Sequence, residues 1–139
     1  MANDELRISR CDLVSNELNE LFSEFVVAAL AHRGGTALID ELFDDNERDL
    51  AVLVERDCVW KISRSEELAG FAVVQGFTLM ALMVKPTVRR QGIARAALQL
   101  LLREMPNLRD GLSLPGDRST KSLYESVGWK ARLLTMRAE

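Results

Sequence analysis

A chain of 139 residues, 47% hydrophobic and 28% charged, is long enough to bury one substantial core, and a single domain over residues 1–139 is expected. The net charge of −3 and an aromatic content of only 6%, with no groove-reading motif, argue against a nucleic-acid binder. The charged start "MANDELRISR" and the lack of any run of about 18 apolar residues argue against export or membrane insertion, so a cytoplasmic protein is expected.

The chain opens with "LRISRC" (6–11), which alternates as a short strand. "DLVSNELNELFSEFVVAALA" (12–31) then places Leu18, Leu21, Phe22, Phe25 and Val26 at helical spacing, with Asp12 as the opening residue. "HRGG" (32–35) breaks that helix, and "TALIDELF" (36–43) and "DDNERDLAVLVERD" (44–57) read as one or two more. From residue 58 the pattern changes. "CVWKISR" (58–64), "LAGFAVV" (68–74) and "FTLMALMV" (77–84) are β-branched or aromatic runs with short gaps, which implies an antiparallel meander. A helix from about Gly92 to Met105 follows, with Ile93, Ala97, Leu100, Leu101 and Glu104 on related faces and Pro106 as its stop. "DGLSLP" (110–115) reads as a strand, "STKSLYESV" (119–127) as a helix ended by Gly128, and "WKARLLTMR" (129–137) as a last strand. Helices, a meander, then alternating strands and helices give an α/β (α+β) fold, one mixed sheet with helices on its faces.

Charge is split along the chain. Residues 1–58 carry 14 acids and 5 bases, and residues 59–139 carry 7 acids and 13 bases, so the two parts stand at −9 and +6. The basic half contains "MVKPTVRRQGIARAALQLLLREMP" (83–106), in which Arg89 and Arg90 sit just before a helix start. A helix N-terminus is already positive, so two arginines there are unfavourable unless an anion lies between them and the free backbone N–H groups. Gly92 has no Cβ and Ala94 the smallest one, so a diphosphate can approach the backbone from Arg89, Arg90 and Gln91 through Ile93. "GDRSTKS" (116–122) echoes a phosphate-binding Walker loop, but it is one residue short and lacks the second glycine, and is set aside. Cys11 and Cys58 have no metal-ligand spacing and read as packing residues; His32, the only histidine, argues against a His-based metal site, and none is expected.

"ALMVKPTVRRQGIARAALQLLL" resembles the acetyl-CoA signature of the GNAT superfamily of N-acyltransferases, where a strand ending in V-x-P leads into R/Q-x-x-G-x-G/A at a helix start. "SLYESVGW" is similar to that superfamily's later helix, with its Tyr and Gly-aromatic pair, and the strand–helix order fits from residue 6 onward. The resemblance implies a mostly antiparallel central sheet with a strand splay, acetyl-CoA as cosubstrate, and direct transfer to an amine in a ternary complex. It further implies that Arg89, Arg90, Gln91, Gly92, Ile93 and Ala94 hold the CoA pyrophosphate, that backbone groups of Met83 and Val84 pair with pantetheine, and that Tyr124 is the general acid. Asp117 stands where the family often has Asn; a carboxylate accepts but does not donate, and Ser119 is a substitute for that pantetheine contact.

A phenol of pKa about 10 is suited to protonate a departing thiolate, whose conjugate acid has a pKa of about 8.5. The other reading of Tyr124 is packing with Trp129 under the sheet. No acid lies on "FTLMALMV", so the base candidates are Glu41, Asp40, His32 or a water relay. Holding a lysine-like amine neutral at pH 7 costs about 4.6 kcal/mol, against about 1 kcal/mol for an α-amino group, which favours weakly basic acceptors. The expected partners are an amine-bearing small molecule or a peptide or protein N-terminus, with no nucleic acid and no membrane, in a monomer or homodimer. A CoA-binding sensor or interaction module on the same fold is the alternative.

Overall fold

The computed structural model describes residues 5–43, 49–89, 92–132 and 136. In chain order they form β1 (Leu6–Arg10), α1 (Asn16–Leu30), α2 (Gly35–Leu42), α3 (Leu50–Glu55), β2 (Val59–Arg64), β3 (Glu67–Gln75), β4 (Thr78–Val84), a 3-10 turn (Pro86–Val88), α4 (Ile93–Glu104), β5 (Asp110–Gly111) and α5 (Arg118–Ser126). The strands lie side by side in the order β1-β2-β3-β4-β5. The first three pairings are antiparallel and β4–β5 is parallel, so the sheet is mixed and mostly antiparallel, as the sequence leads one to expect. No described helix is long and apolar enough to cross a membrane.

Each sheet face carries its own helices. Leu18, Leu21 and Phe22 of α1, Ile39 and Leu42 of α2 and Leu50 and Leu53 of α3 pack on Val59, Phe71 and Val73. Phe22 and Phe25 both meet the Phe71 ring, at centroid distances of 5.7 and 5.8 Å. On the opposite face Leu98 and Leu101 of α4 and Tyr124 of α5 cover Trp60, Ala72, Val74 and Leu79. Helix α1 starts later than Asp12 would set it: Ser15 is the cap, its Oγ accepting from the amide of Leu18 at 3.1 Å. Cys11 still donates to the Val59 carbonyl, so the chain leaves the sheet only after residue 11 and needs three residues to turn.

The largest differences from the sequence reading lie after α4. The strand expected over 110–115 is only Asp110–Gly111. Beyond it the chain bends away from β4, and Pro115 comes to lie beside Gly34 at the α1–α2 corner. The strand expected over 129–137 is not formed at 129–132 or at Met136, and residues 133–135 and 137 lie outside the described ones. The helix expected over 44–57 is α3 alone, residues 44–48 also lying outside. A further feature has no counterpart in the periodicity. Val73 pairs with Ala81 but Val74 with Leu79, which leaves Met80 as an extra residue, a β-bulge. Met80 and Ala81 consequently both face the α1–α3 core, while Leu79 faces α4 and α5.

The α1–α2 hairpin depends on a close approach at Gly35, where a Cβ would stand 1.8 Å from the carbonyl oxygen of Ala29. Gly35→Ala is expected to pry α2 from α1 and destabilise the fold by about 2 kcal/mol or more, read as a lower denaturation midpoint in urea. A midpoint equal to that of the wild type would show that the corner relaxes freely.

Candidate active site at the parting of two strands

Strands β4 and β5 pair only at Thr78 with Asp110 and Leu79 with Gly111. The last rung is the amide of Leu112 donating to the carbonyl of Leu79 at 3.0 Å. Past it the strands part and one edge of β4 is left open. On the other edge the amide of Lys85 donates to the Ala69 carbonyl, which makes every second pair from there, Met83 with Phe71 and Ala81 with Val73, a hydrogen-bonded one. The alternate residues Leu82 and Val84 therefore turn their N–H and C=O groups into the parting. Arg89 bears this out: its Nε donates to the Val84 carbonyl at 3.0 Å. Of the two backbone positions expected for pantetheine, Val84 faces the parting, whereas Met83 is committed to the sheet.

A cavity of about 150 Å³ occupies the parting. Phe25, Ala28, Ala29 and His32 of the α1 side and Leu38 of α2 form one wall, Met80 to Met83 of β4 the floor, and Leu112, Leu114, Asp117, Thr120 and Tyr124 the other wall. Arg89 borders it as well. Of the expected base candidates, His32 lines the cavity, while Glu41 and Asp40 are exposed on α2 and do not. Ser119 is exposed on the first turn of α5, outside the lining. No three described His, Cys, Asp or Glu residues come together as a metal-holding group.

Local sequence explains how Tyr124 is held. Asp117 caps α5, its Oδ1 accepting from the Thr120 amide at 3.1 Å and its Oδ2 from the Thr120 hydroxyl at 2.6 Å. At the other end Gly128, with φ of 92°, allows the amide of Trp129 to reach back to the Tyr124 carbonyl at 3.1 Å and its own amide to reach Glu125 at 3.0 Å. This paired termination brings the residue after the glycine onto the last helical turn. Trp129 accordingly lies on Tyr124, with ring centroids 5.4 Å apart. The Tyr124 hydroxyl donates to the Leu112 carbonyl at 2.9 Å. Tyr124 packs with Trp129, and it also borders the cavity.

The N-terminus of α4 has no side-chain cap and no acid in its first turn. The amides of Ile93, Ala94 and Arg95 have no acceptor within the helix. Gly92 precedes them with φ of 73°, and a Cβ there would meet no atom of the described residues within 4 Å. Arg89 and Arg95 are exposed beside it, and Ile93 is buried as the anchor of the turn. Arg90 and Gln91 lie outside the described residues. Sequence reasoning missed Leu82, Leu112 and Gly111. The bulge that selects Leu82 leaves no trace in an all-apolar strand, and a lone glycine in "DGLSLP" carries no pattern.

Burial, and secondarily the charge of Asp117, pushes the Tyr124 phenol well above its usual value near 10. The native state therefore retains a proton that the unfolded chain releases above pH 10, and the stability conferred below pH 10 is lost as pH rises past it. The wild type should lose stability more steeply above pH 10 than Tyr124→Phe, measured by urea unfolding at a series of pH values. Parallel slopes would mean that Tyr124 titrates normally.

Residues 46–136 match the family model described as an acetyltransferase (GNAT) domain. A search of the curated proteins finds no match. Among solved structures, the acetyltransferase GNAT family protein SP0256 from Streptococcus pneumoniae TIGR4 aligns with a TM-score of 0.59 and 14% identity, over 97% of this chain and 100% of that one. The ribosomal-protein-alanine N-acetyltransferase from Brucella melitensis biovar Abortus 2308 aligns with a TM-score of 0.59 and 14% identity, over 96% of this chain and 100% of that one. A structure of AAC(6')-Iy in complex with the bisubstrate analog CoA-S-monomethyl-acetylneamine aligns with a TM-score of 0.54 and 13% identity, over 97% and 99%. Such identities speak to fold alone: a mixed sheet with helices is what these structures and this one have in common. The family assignment rests on the match over most of the sequence: the chain belongs to the GNAT acetyltransferases.

Proposed function

We propose that this protein, a single acyltransferase domain, moves an acetyl group from acetyl-CoA to a primary amine within a ternary complex. The observation that carries the reading is the cavity in the strand parting, which has an open backbone edge on one side and a buried, neutral phenol on the other. The chain's groups suit the cosubstrate. The uncapped amides of Ile93 and Ala94, beside a Gly92 that lacks a Cβ, accommodate a pyrophosphate, with Arg89, Arg90 and Gln91 completing the loop. The amide and carbonyl of Leu82 and the amide of Val84, whose carbonyl Arg89 already engages, are offered to the pantetheine arm.

Acetyl-CoA supplies an electrophilic thioester carbonyl and a thiolate leaving group. The residues of the chain manage protons around that exchange. Tyr124 Oη, neutral at working pH, turns from the Leu112 carbonyl to hydrogen-bond the departing sulfur and pass it a proton, and the phenolate so formed, which its surroundings disfavour, takes a proton back from solvent. Asp117, with both carboxylate oxygens held by Thr120, supports α5 and disfavours phenolate rather than contacting pantetheine. The amine's proton leaves toward the α1 side, where His32 is the one described titratable group in the lining; Glu41 and Asp40 fit this role less well because they lie outside it. The remainder of that wall, Phe25, Ala28, Ala29 and Leu38, is apolar. An ammonium of pKa about 10.4 finds no carboxylate there, so an amine of lower pKa on an apolar body, such as a peptide N-terminus, is the favoured acceptor.

Thiol release from acetyl-CoA across a panel of peptides, polyamines, amino acids and aminoglycosides, with product masses, tests the activity. With a turned-over acceptor in hand, Tyr124→Phe should lower kcat by roughly 10²-fold while the acetyl-CoA Kd stays within a few-fold. A fully active variant would exclude Tyr124 as the acid. Gly92→Ala carries a backbone cost of about 1 kcal/mol at positive φ, yet its methyl meets no atom of the described residues within 4 Å, so the protein should fold and bind acetyl-CoA at least tenfold more weakly by calorimetry. Unchanged affinity would remove the pyrophosphate from this loop. One observation favours the alternative of a CoA-binding sensor: the hydroxyl of Tyr124 is already engaged by Leu112. Tight CoA binding with only slow, acceptor-independent thioester hydrolysis would establish that reading instead.

A further inference from the structure

Gly111 closes β5 directly beneath two aromatic rings. A Cβ on it would stand 2.8 Å from Cζ and 2.9 Å from Cε2 of Tyr124, and 3.0 Å from Cζ3 of Trp129. Carbon atoms pack at about 3.5–4.0 Å, so no other residue fits without moving those rings. The backbone does not ask for glycine here: the positive-φ glycines are Gly34, Gly76, Gly92, Gly116 and Gly128, and Gly111 is not among them. A glycine in a strand, moreover, weakens it. What remains is the space it leaves for Tyr124.

That space determines where the hydroxyl ends up. The next residue, Leu112, accepts the Tyr124 hydrogen bond through its carbonyl and gives its amide to Leu79 at the vertex of the parting. Trp129, itself fastened to the Tyr124 carbonyl, packs on the ring and also borders Gly111. With a side chain at 111 the ring is forced off β5, and the hydroxyl leaves Leu112 and its place beside the open edge of β4. We propose that Gly111 is a positioning residue for acyl transfer, acting through Tyr124 by seating its ring so that the hydroxyl stands at the vertex of the strand parting. The proposal rests on the reading of Tyr124 as the acid.

Four proteins test it: wild type, Gly111→Ala, Tyr124→Phe and the double variant. In Gly111→Ala, kcat should fall about tenfold or more while the acetyl-CoA Kd stays within about twofold. In the Tyr124→Phe background the same substitution should cost nothing further, because its effect runs through a hydroxyl that is already gone. Losses that multiply in the double variant, or a Gly111→Ala enzyme as fast as wild type, overturn the proposal. Tyr124 is the single tyrosine of the chain, so phenolate absorbance reports on it alone. Its titration should move down toward the ordinary value near 10 in Gly111→Ala. If the wild type transfers no acetyl group at all, the enzyme reading falls, and an unmoved titration overturns the seating claim separately. Should Gly111→Ala not fold, Trp129→Leu supplies room for the displaced ring: Gly111→Ala/Trp129→Leu is then compared with Trp129→Leu, and identical titrations overturn the proposal.

Discussion

A backbone amide or carbonyl that leaves a β-ladder must find another partner, and this requirement organises the site. β4 loses β5 after the bond between Leu112 and Leu79. The polar groups of Leu82 and Val84 then face the parting rather than a strand; Leu82 lines the cavity there, and the Val84 carbonyl is taken up by the side chain of Arg89. A row of amides and carbonyls spaced as in a sheet edge is what an extended, amide-bearing chain can pair with. The parting is sustained by packing at a distance. Residues beyond Leu112 are drawn toward Gly34 at the α1–α2 corner, and the Lys85–Glu17 ion pair ties the end of β4 to α1.

Electrostatics divides the site in two. The α4 end gathers positive potential from uncapped amides, Arg89 and Arg95, with no acid in the first turn to offset it. The α1 wall of the cavity is apolar apart from His32. An anionic ligand is thereby directed to one end and a less polar one to the other. Tyr124 borders the cavity in surroundings that suppress its ionisation, since burial and the Asp117 carboxylate both act against phenolate. The same aspartate caps the helix that carries the tyrosine, so one side chain serves both the placement of the phenol and its charge state.

Much of this was legible in the sequence. The meander, the two helix-bearing faces, the glycine before α4 and the glycine after α5 follow from local rules: alternation for strands, a 3.6-residue period for helices, and positive φ where a helix must begin or end. Tyr124 and the Arg89–Ala94 loop stood out because their residue types sit at motif spacing. The start of α1 was misplaced for a reason that is itself tertiary, since Cys11 remains bonded to Val59 and delays the turn to Ser15.

The sequence by itself determined the element types up to α4 and the helix that carries Tyr124, the family and the residues that a motif can name, because these depend on neighbours within a few positions along the chain. Only the tertiary structure decided which backbone groups stay unpaired, because the bulge at Met80 inverts the pairing of every β4 residue after it and is invisible in a run of apolar side chains. It also decided the partner of the Tyr124 hydroxyl and the reason for Gly111. Both depend on two segments meeting in space, where an absent methyl group and a carbonyl direction count, and neither quantity is written in the order of the residues.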